Sequence, residues 1–125
     1  MTVHFDTDFL VYALGTAGPE RRRLIEIAES DQVMELSAVA WYEFSRGPRT
    51  PEQLATARTF FADDGIVPFS EQIASAAAEV FRQLGSPRRR AADIAIGVTA
   101  ALRGATLISR NARDFAGIPS LSVED

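Results

Sequence analysis

The chain of 125 residues has no cysteine, no lysine and a single histidine, His4. Without cysteine there is neither a disulfide nor a thiolate-bound metal, and one histidine cannot build a multi-histidine zinc site within one chain. Any bound metal must then be held by oxygen, which selects hard cations, Mg²⁺ or Mn²⁺. The absence of lysine excludes every mechanism that needs a side-chain amine. No apolar run approaches the ~20 residues that span a bilayer. The first residues carry an acid and a strand pattern where a secretory signal would have a basic start and an apolar core. The expectation is a cytoplasmic protein with no membrane contact.

What remains is ordinary for one globular domain over residues 1–125: 46% hydrophobic and 24% charged residues, with a net charge of −4. That charge argues against a general nucleic-acid surface. All 13 basic residues are arginine, however, and six of them fall in two runs, Arg21 to Arg23 and Arg88 to Arg90. Such patches can hold phosphates, although each run alone reads equally well as a solvated face.

Short β-prone runs alternate with helical patterns along the chain. Val3–Phe5, Val33–Ser37, Ile66–Phe69, Ala105–Ser109 and Leu121–Val123 read as strands. The first helix is capped or begun by Thr7, and a second starts at Pro19. Ala38 to Arg46 forms a third. Thr50 and Gln53, at capping-box spacing, open a fourth that runs to about Ala62. Ser70 caps a fifth, and Arg90 to Arg103 is an Ala-rich sixth ended by Gly104. This alternation predicts an α/β fold: a three-layer α/β/α sandwich around a parallel sheet of four to five strands, joined by right-handed crossovers. In such sheets ligands sit beyond the carboxyl ends of the strands.

That rule turns attention to the acids. The first strand ends in F-D-T-D, placing Asp6 and Asp8 one residue apart. At ~4 Å, like charges repel by about 4 kcal/mol at an effective dielectric of ~20, so two acids at the end of a buried strand call for a cation. Glu43 lies in the helix after the second strand, with Arg46 at i+3 as a plain surface partner. Asp93 lies in the first turn of an almost wholly apolar helix, where it either complements the helix dipole or meets a ligand. Asn111 and Asp114 follow the fourth strand, where a turn-capping role is equally natural. Asp6, Glu43, Asp93 and the Asn111/Asp114 pair all fall where the strand–helix alternation would deliver them to one edge of the sheet. A carboxylate cluster without His, Cys or Lys suits Mg²⁺-assisted phosphodiester hydrolysis, with one ion or two.

Three blocks, V-H-F-D-T-D-F-L-V-Y, L-S-A-V-A-W-Y-E-F-S-R-G and R-R-R-A-A-D-I-A-I-G-V-T-A-A-L-R-G-A-T-L-I-S-R-N-A-R-D-F, resemble in order the PIN-domain ribonucleases, in particular the VapC-type toxins of toxin–antitoxin pairs. The resemblance runs nearly end to end. It implies a metal-dependent endoribonuclease, usually dimeric, that is restrained by a VapB-type antitoxin and meets DNA only through that antitoxin. By position it makes Asp6 and Asp93 the principal metal ligands, Glu43 the third acid and Asp114 the fourth, with Asn111 an alternative for the fourth place. Asp8 stands where the family often has Asn or Ser, and Ser109 keeps a hydroxyl where the family commonly has Thr. Arg88, Arg89 and Arg90 are candidate RNA contacts. Trp41, Tyr42, Phe60 and Phe61 are candidates for a dimer or antitoxin surface, though at helical spacing they are more often core.

Other readings are a solo PIN nuclease in RNA processing and a non-catalytic PIN-like module that binds RNA or protein. Haloacid-dehalogenase-type phosphatases also begin with a strand and D-x-D. They need Thr or Val two residues further on, where this chain has Leu10, and a lysine. The missing lysine counts equally against a response-regulator receiver.

Overall fold

The computed structural model describes residues 1–125. Eleven regular elements follow one another as β1 (Thr2–Phe5), α1 (Thr7–Gly15), α2 (Pro19–Ala28), β2 (Val33–Ser37), α3 (Ala38–Ser45), α4 (Pro51–Arg58), β3 (Ile66–Val67), α5 (Glu71–Gln83), α6 (Ala91–Leu102), β4 (Thr106–Ile108) and β5 (Ser122–Glu124). Short 3₁₀ turns at Arg88–Arg90 and Ala112–Phe115 precede α6 and follow β4. All five strands are parallel, in the order β3-β2-β1-β4-β5. The expected α/β/α architecture is the one found.

β1 is the middle strand, with His4 opposite Glu35 of β2 and Leu107 of β4. Consecutive strand residues face opposite sides of a sheet, yet Val3, His4 and Phe5 are all buried, as are Met34 to Ser37. Both faces are therefore covered by helices, and the core fills the space between: Phe5 stacks on Phe9 and meets Phe61 edge-on. α1 packs against α2 and α3, and α5 against α6. At Gly97 in α6 a Cβ would lie 2.5 Å from Ile118 Cδ1. A larger residue there would push the Ile118 side chain aside, so glycine lets these side chains pack directly onto α6.

Local chemistry sets the helix starts. Ser37 accepts from the Ala40 N–H, Ser70 from the Ile73 N–H, and Thr50 and Gln53 form the expected capping box. α1 begins at Thr7, one of the two roles open to it, and its N-cap is Asp6. Several boundaries differ from the sequence reading. α4 stops at Arg58 instead of Ala62, where the Arg58 guanidinium folds onto the carbonyls of Phe61, Ala62 and Asp63 and satisfies them in a turn. β3 ends at Val67 because Pro68 has no N–H for the ladder. Of the four aromatics held back for a surface, Phe61 is buried, Trp41 and Phe60 are half-buried, and only Tyr42 is exposed. No helix is long and apolar enough to cross a membrane.

Candidate active site

The carboxyl edge of the sheet opens into a pocket of about 280 Å³ lined by Asp6, Thr7, Asp8, Val11, Glu43, Arg46, Asp93, Asn111 and Asp114. Acids from four separate segments meet there: the end of β1, helix α3, the first turn of α6 and the 3₁₀ turn after β4. A larger groove of about 380 Å³ adjoins it at Val11 and continues along Leu14, Phe44 and Pro48. It contains one carboxylate, Glu52, and no converging set of acids, so the smaller pocket is the one with chemistry.

Asp6 is fixed from two sides. Its Oδ1 accepts the Phe9 N–H at 2.7 Å, capping α1, and its Oδ2 accepts the Ser109 hydroxyl at 2.6 Å. Ser109, wholly buried, also accepts the Asn111 N–H at 2.9 Å. Burial pushes the Asp6 pKa up, these two hydrogen bonds pull it back, and the charges of Asp8 and Asp114 add to the rise. Glu43 is oriented by Thr7, whose hydroxyl donates to Glu43 Oε1 at 2.7 Å, while Arg46 stands 3.9 Å from Oε2.

Asp93 is the exception among these acids, because its carboxylate makes no hydrogen bond or ion pair within the chain. Its pKa is raised to about 6, first by burial, then by the charges of Asp114, Glu43 and Asp6, against a partial pull from Arg90. Asp114 is exposed, and its turn is held in place from behind: Arg90 donates to the carbonyls of Asp114 at 3.2 Å and of Ala116 at 2.6 Å. Arg90 is thereby occupied by backbone, and of the Arg88–Arg90 run only Arg88 and Arg89 point freely into solvent.

Asp8 lines the pocket too, but its Oδ2 is already shared by Arg110 Nη1 and Asn111 Nδ2, each at 3.3 Å. It is thus partly neutralised, which Asp93 is not. Thr7, Arg46 and Arg110 were not singled out as site residues from the sequence, and Arg90 was named only as a candidate RNA contact. Thr7 stands beside Asp6 and Arg46 at i+3 from Glu43, so both had a local signal. Arg110, and the contacts of Arg90 with the turn of Asp114, act across long sequence separations and had none.

The donor set consists of oxygens only, carries several like charges and includes one acid without an internal partner, and these features suit a hard divalent cation. No three of the carboxylates stand at ligand spacing. The only imidazole is elsewhere. His4 is fully buried with Nε2 2.9 Å from Glu35, so no histidine is available to the pocket as acid or base.

Comparison with known proteins gives the family and fold. A family model, that of the PIN domain, matches residues 3–120. No curated protein matches the sequence. Among solved structures, a toxin–antitoxin complex from Klebsiella pneumoniae has a chain 25% identical, with a TM-score of 0.74 over 98% of this chain and 96% of that one. A chain of VapBC2 from Rickettsia felis, bound to a DNA fragment from their promoter, is 21% identical with a TM-score of 0.73, covering 99% and 98% respectively. One of DNA-bound VapBC from Salmonella typhimurium is 19% identical with a TM-score of 0.72, covering 100% and 98%.

Proposed function

The chain belongs to the PIN domain family, and from that premise we propose that it is a Mg²⁺- or Mn²⁺-dependent endoribonuclease, the toxin of a toxin–antitoxin pair. The observation that carries the reading is the set Asp6, Glu43, Asp93 and Asp114 around one pocket, with Asp93 lacking a cation of its own. Asp6 and Asp93 are the principal ligands, Glu43 the third acid and Asp114 the fourth. When bound, the divalent cation supplies Lewis-acid charge at the scissile phosphate.

The chain's own residues do the rest. Asp6 presents a carboxylate whose rotamer is fixed by the Phe9 N–H and Ser109, and Thr7 aligns Glu43. Such preorientation lowers the ordering entropy left to lose on binding. In the overall reaction water adds to phosphorus and one P–O ester bond breaks, leaving a phosphate monoester and a hydroxyl. Cleavage through the RNA 2′-hydroxyl with histidine as acid and base does not fit, because His4 is sealed inside the sheet.

The partner reading rests on the solved complexes and on the groove beside the pocket. Val11, Leu14, Phe44 and Pro48 give it an apolar wall, which suits an amphipathic segment of a VapB-type antitoxin. Such a segment would lie against the acid pocket at Val11. DNA would be met only through the antitoxin, and a homodimer in the cytoplasm completes the reading.

The test is RNA cleavage by the purified protein in Mg²⁺, beside Asp6→Asn and Asp93→Asn. Cleavage in Mg²⁺ that is lost with EDTA and in both variants is expected. Cleavage that survives EDTA, or is unchanged in both variants, overturns the reading.

A further inference from the structure

The chain has two tyrosines, and both stand exposed beneath arginines that flank the acid pocket. Arg46 lies over the Tyr42 ring with Cζ 5.2 Å from its centroid, and Arg110 lies over the Tyr12 ring at 3.6 Å. Tyr42 is 62% exposed and Tyr12 40%. Each arginine is tied to one acid of the pocket: Arg46 to Glu43 at 3.9 Å, Arg110 to Asp8 at 3.3 Å, with Glu20 also 3.7 Å from Arg110. The two pairs sit on opposite sides of the end of β1. Arg46 and Tyr42 belong to the helix after β2, while Arg110 follows β4 and meets Tyr12 of α1.

We propose that Arg46/Tyr42 and Arg110/Tyr12 are two stacking platforms that receive unpaired bases of the RNA strand on either side of the phosphate held at the acid pocket. The proposal rests on the ribonuclease reading and adds to it where the neighbouring nucleotides go. An arginine whose charge is already met by a carboxylate is a weakened phosphate clamp, but its flat face, backed by a ring, still offers a broad cation–π surface. Bases stack on such surfaces with little regard to sequence, whereas a paired base keeps its faces against its neighbours. The platforms therefore select strands in which the nucleotides next to the cut are free to turn outward. The acid floor repels the backbone everywhere except where a cation bridges it, so stacking at the rim supplies attraction the pocket lacks.

The test is equilibrium binding by fluorescence anisotropy, with Ca²⁺ in place of Mg²⁺. The probes are a fluorescein-labelled oligouridylate of about 12 nucleotides and a ribose-phosphate oligomer of the same length without bases. Tyr12→Ala and Tyr42→Ala should each weaken binding of the oligouridylate by about tenfold, while Tyr12→Phe and Tyr42→Phe stay within about twofold of wild type. The base-free oligomer should bind all five proteins alike. Alanine variants that bind the oligouridylate as wild type does overturn the proposal, as does an equal loss for both probes or a wild type that binds neither. Tyrosine-dependent binding in a protein that cuts no RNA in Mg²⁺ instead overturns the ribonuclease reading and leaves the platforms standing.

Discussion

Two charged clusters mark the opposite ends of α6. At its C-terminal end Arg103 donates to both oxygens of Glu35, at 3.1 and 2.6 Å, and His4 Nε2 adds a third contact at 2.9 Å. At its N-terminal end Asp93 faces Asp114, Glu43 and Asp6 without a bonded partner. The pKa values follow: Arg103 holds Glu35 below the usual carboxylate range, whereas burial and like charges lift Asp93 to about 6. Burying a charge is unfavourable unless it is paired. One cluster is paired by the fold itself, and the other is paired only when something joins it. On the proposed function, the first serves stability and the second is where the cation binds.

The largest expected effect tests that division directly. Asp93→Asn should lower RNA cleavage by at least about a hundredfold and yet raise the Tm of the metal-free protein by about 3 °C, since it removes a repelled carboxylate. Loss of activity with a lowered Tm would show that Asp93 is a structural acid like Glu35. Next, Arg103→Ala should do the reverse. Urea unfolding should show about 2 kcal/mol of destabilisation, because Glu35 keeps only His4, while cleavage at saturating Mg²⁺ changes by no more than about twofold. Ser109→Ala removes the hydroxyl that holds Asp6 Oδ2 and should cost about tenfold in Mg²⁺ affinity or rate, read by titration of the cation.

The smallest effect is the pH dependence of the difference in stability between wild type and Asp93→Asn, without metal. The folded pKa of Asp93, about 6, lies above its ordinary 3.8, so the folded state binds the proton first. The destabilisation is present at pH 7 and fades as pH falls through 6 towards the ordinary value. After solvent screening of this half-exposed group it amounts to about 1 kcal/mol. The gap between the two proteins should therefore narrow between pH 7 and 5. Glu35 works in the other direction and later, since its depressed pKa keeps its contribution intact until pH falls below its ordinary 4.5. His4, pushed down by burial, weakens the fold below its ordinary 6.5 in both proteins, and the difference cancels it.

The sequence made the unpaired cluster more legible than the paired one. Strand–helix alternation and the rule that ligands gather at the carboxyl edge were enough to bring Asp6, Glu43, Asp93 and Asp114 to one pocket. Strand order was not legible, and with it went the pairing of His4 with Glu35, which depends on β1 and β2 being neighbours in that register. Thr7 was open to two roles, cap or first helical residue, and it takes the second, while Asp6 caps the helix and is held on its other oxygen by Ser109, 103 positions away. Arg90 read as a phosphate contact because nothing local reveals that carbonyls of residues 114 and 116 lie within its reach. Asp8 already stood apart from Asp6 as an accessory residue of open role, but that Arg110 and Asn111 come back across the sheet to meet it was not legible. In each case the deciding partner is remote in sequence.

The placing of β4 beside β1 has a consequence for the chain as it is made. Asp6 gains its helix-side bond as soon as α1 forms, but its Ser109 bond must await the far end of the polypeptide. Asp93 and Asp114 arrive equally late. A ribosome-bound chain that has emerged only as far as α5 has one flank of its central strand open and lacks Asp93 and Asp114, so the acid pocket cannot exist on it. Emergence of the last third closes the sheet and brings the acid set together, and on the proposed function a truncated product would be inert rather than half-active.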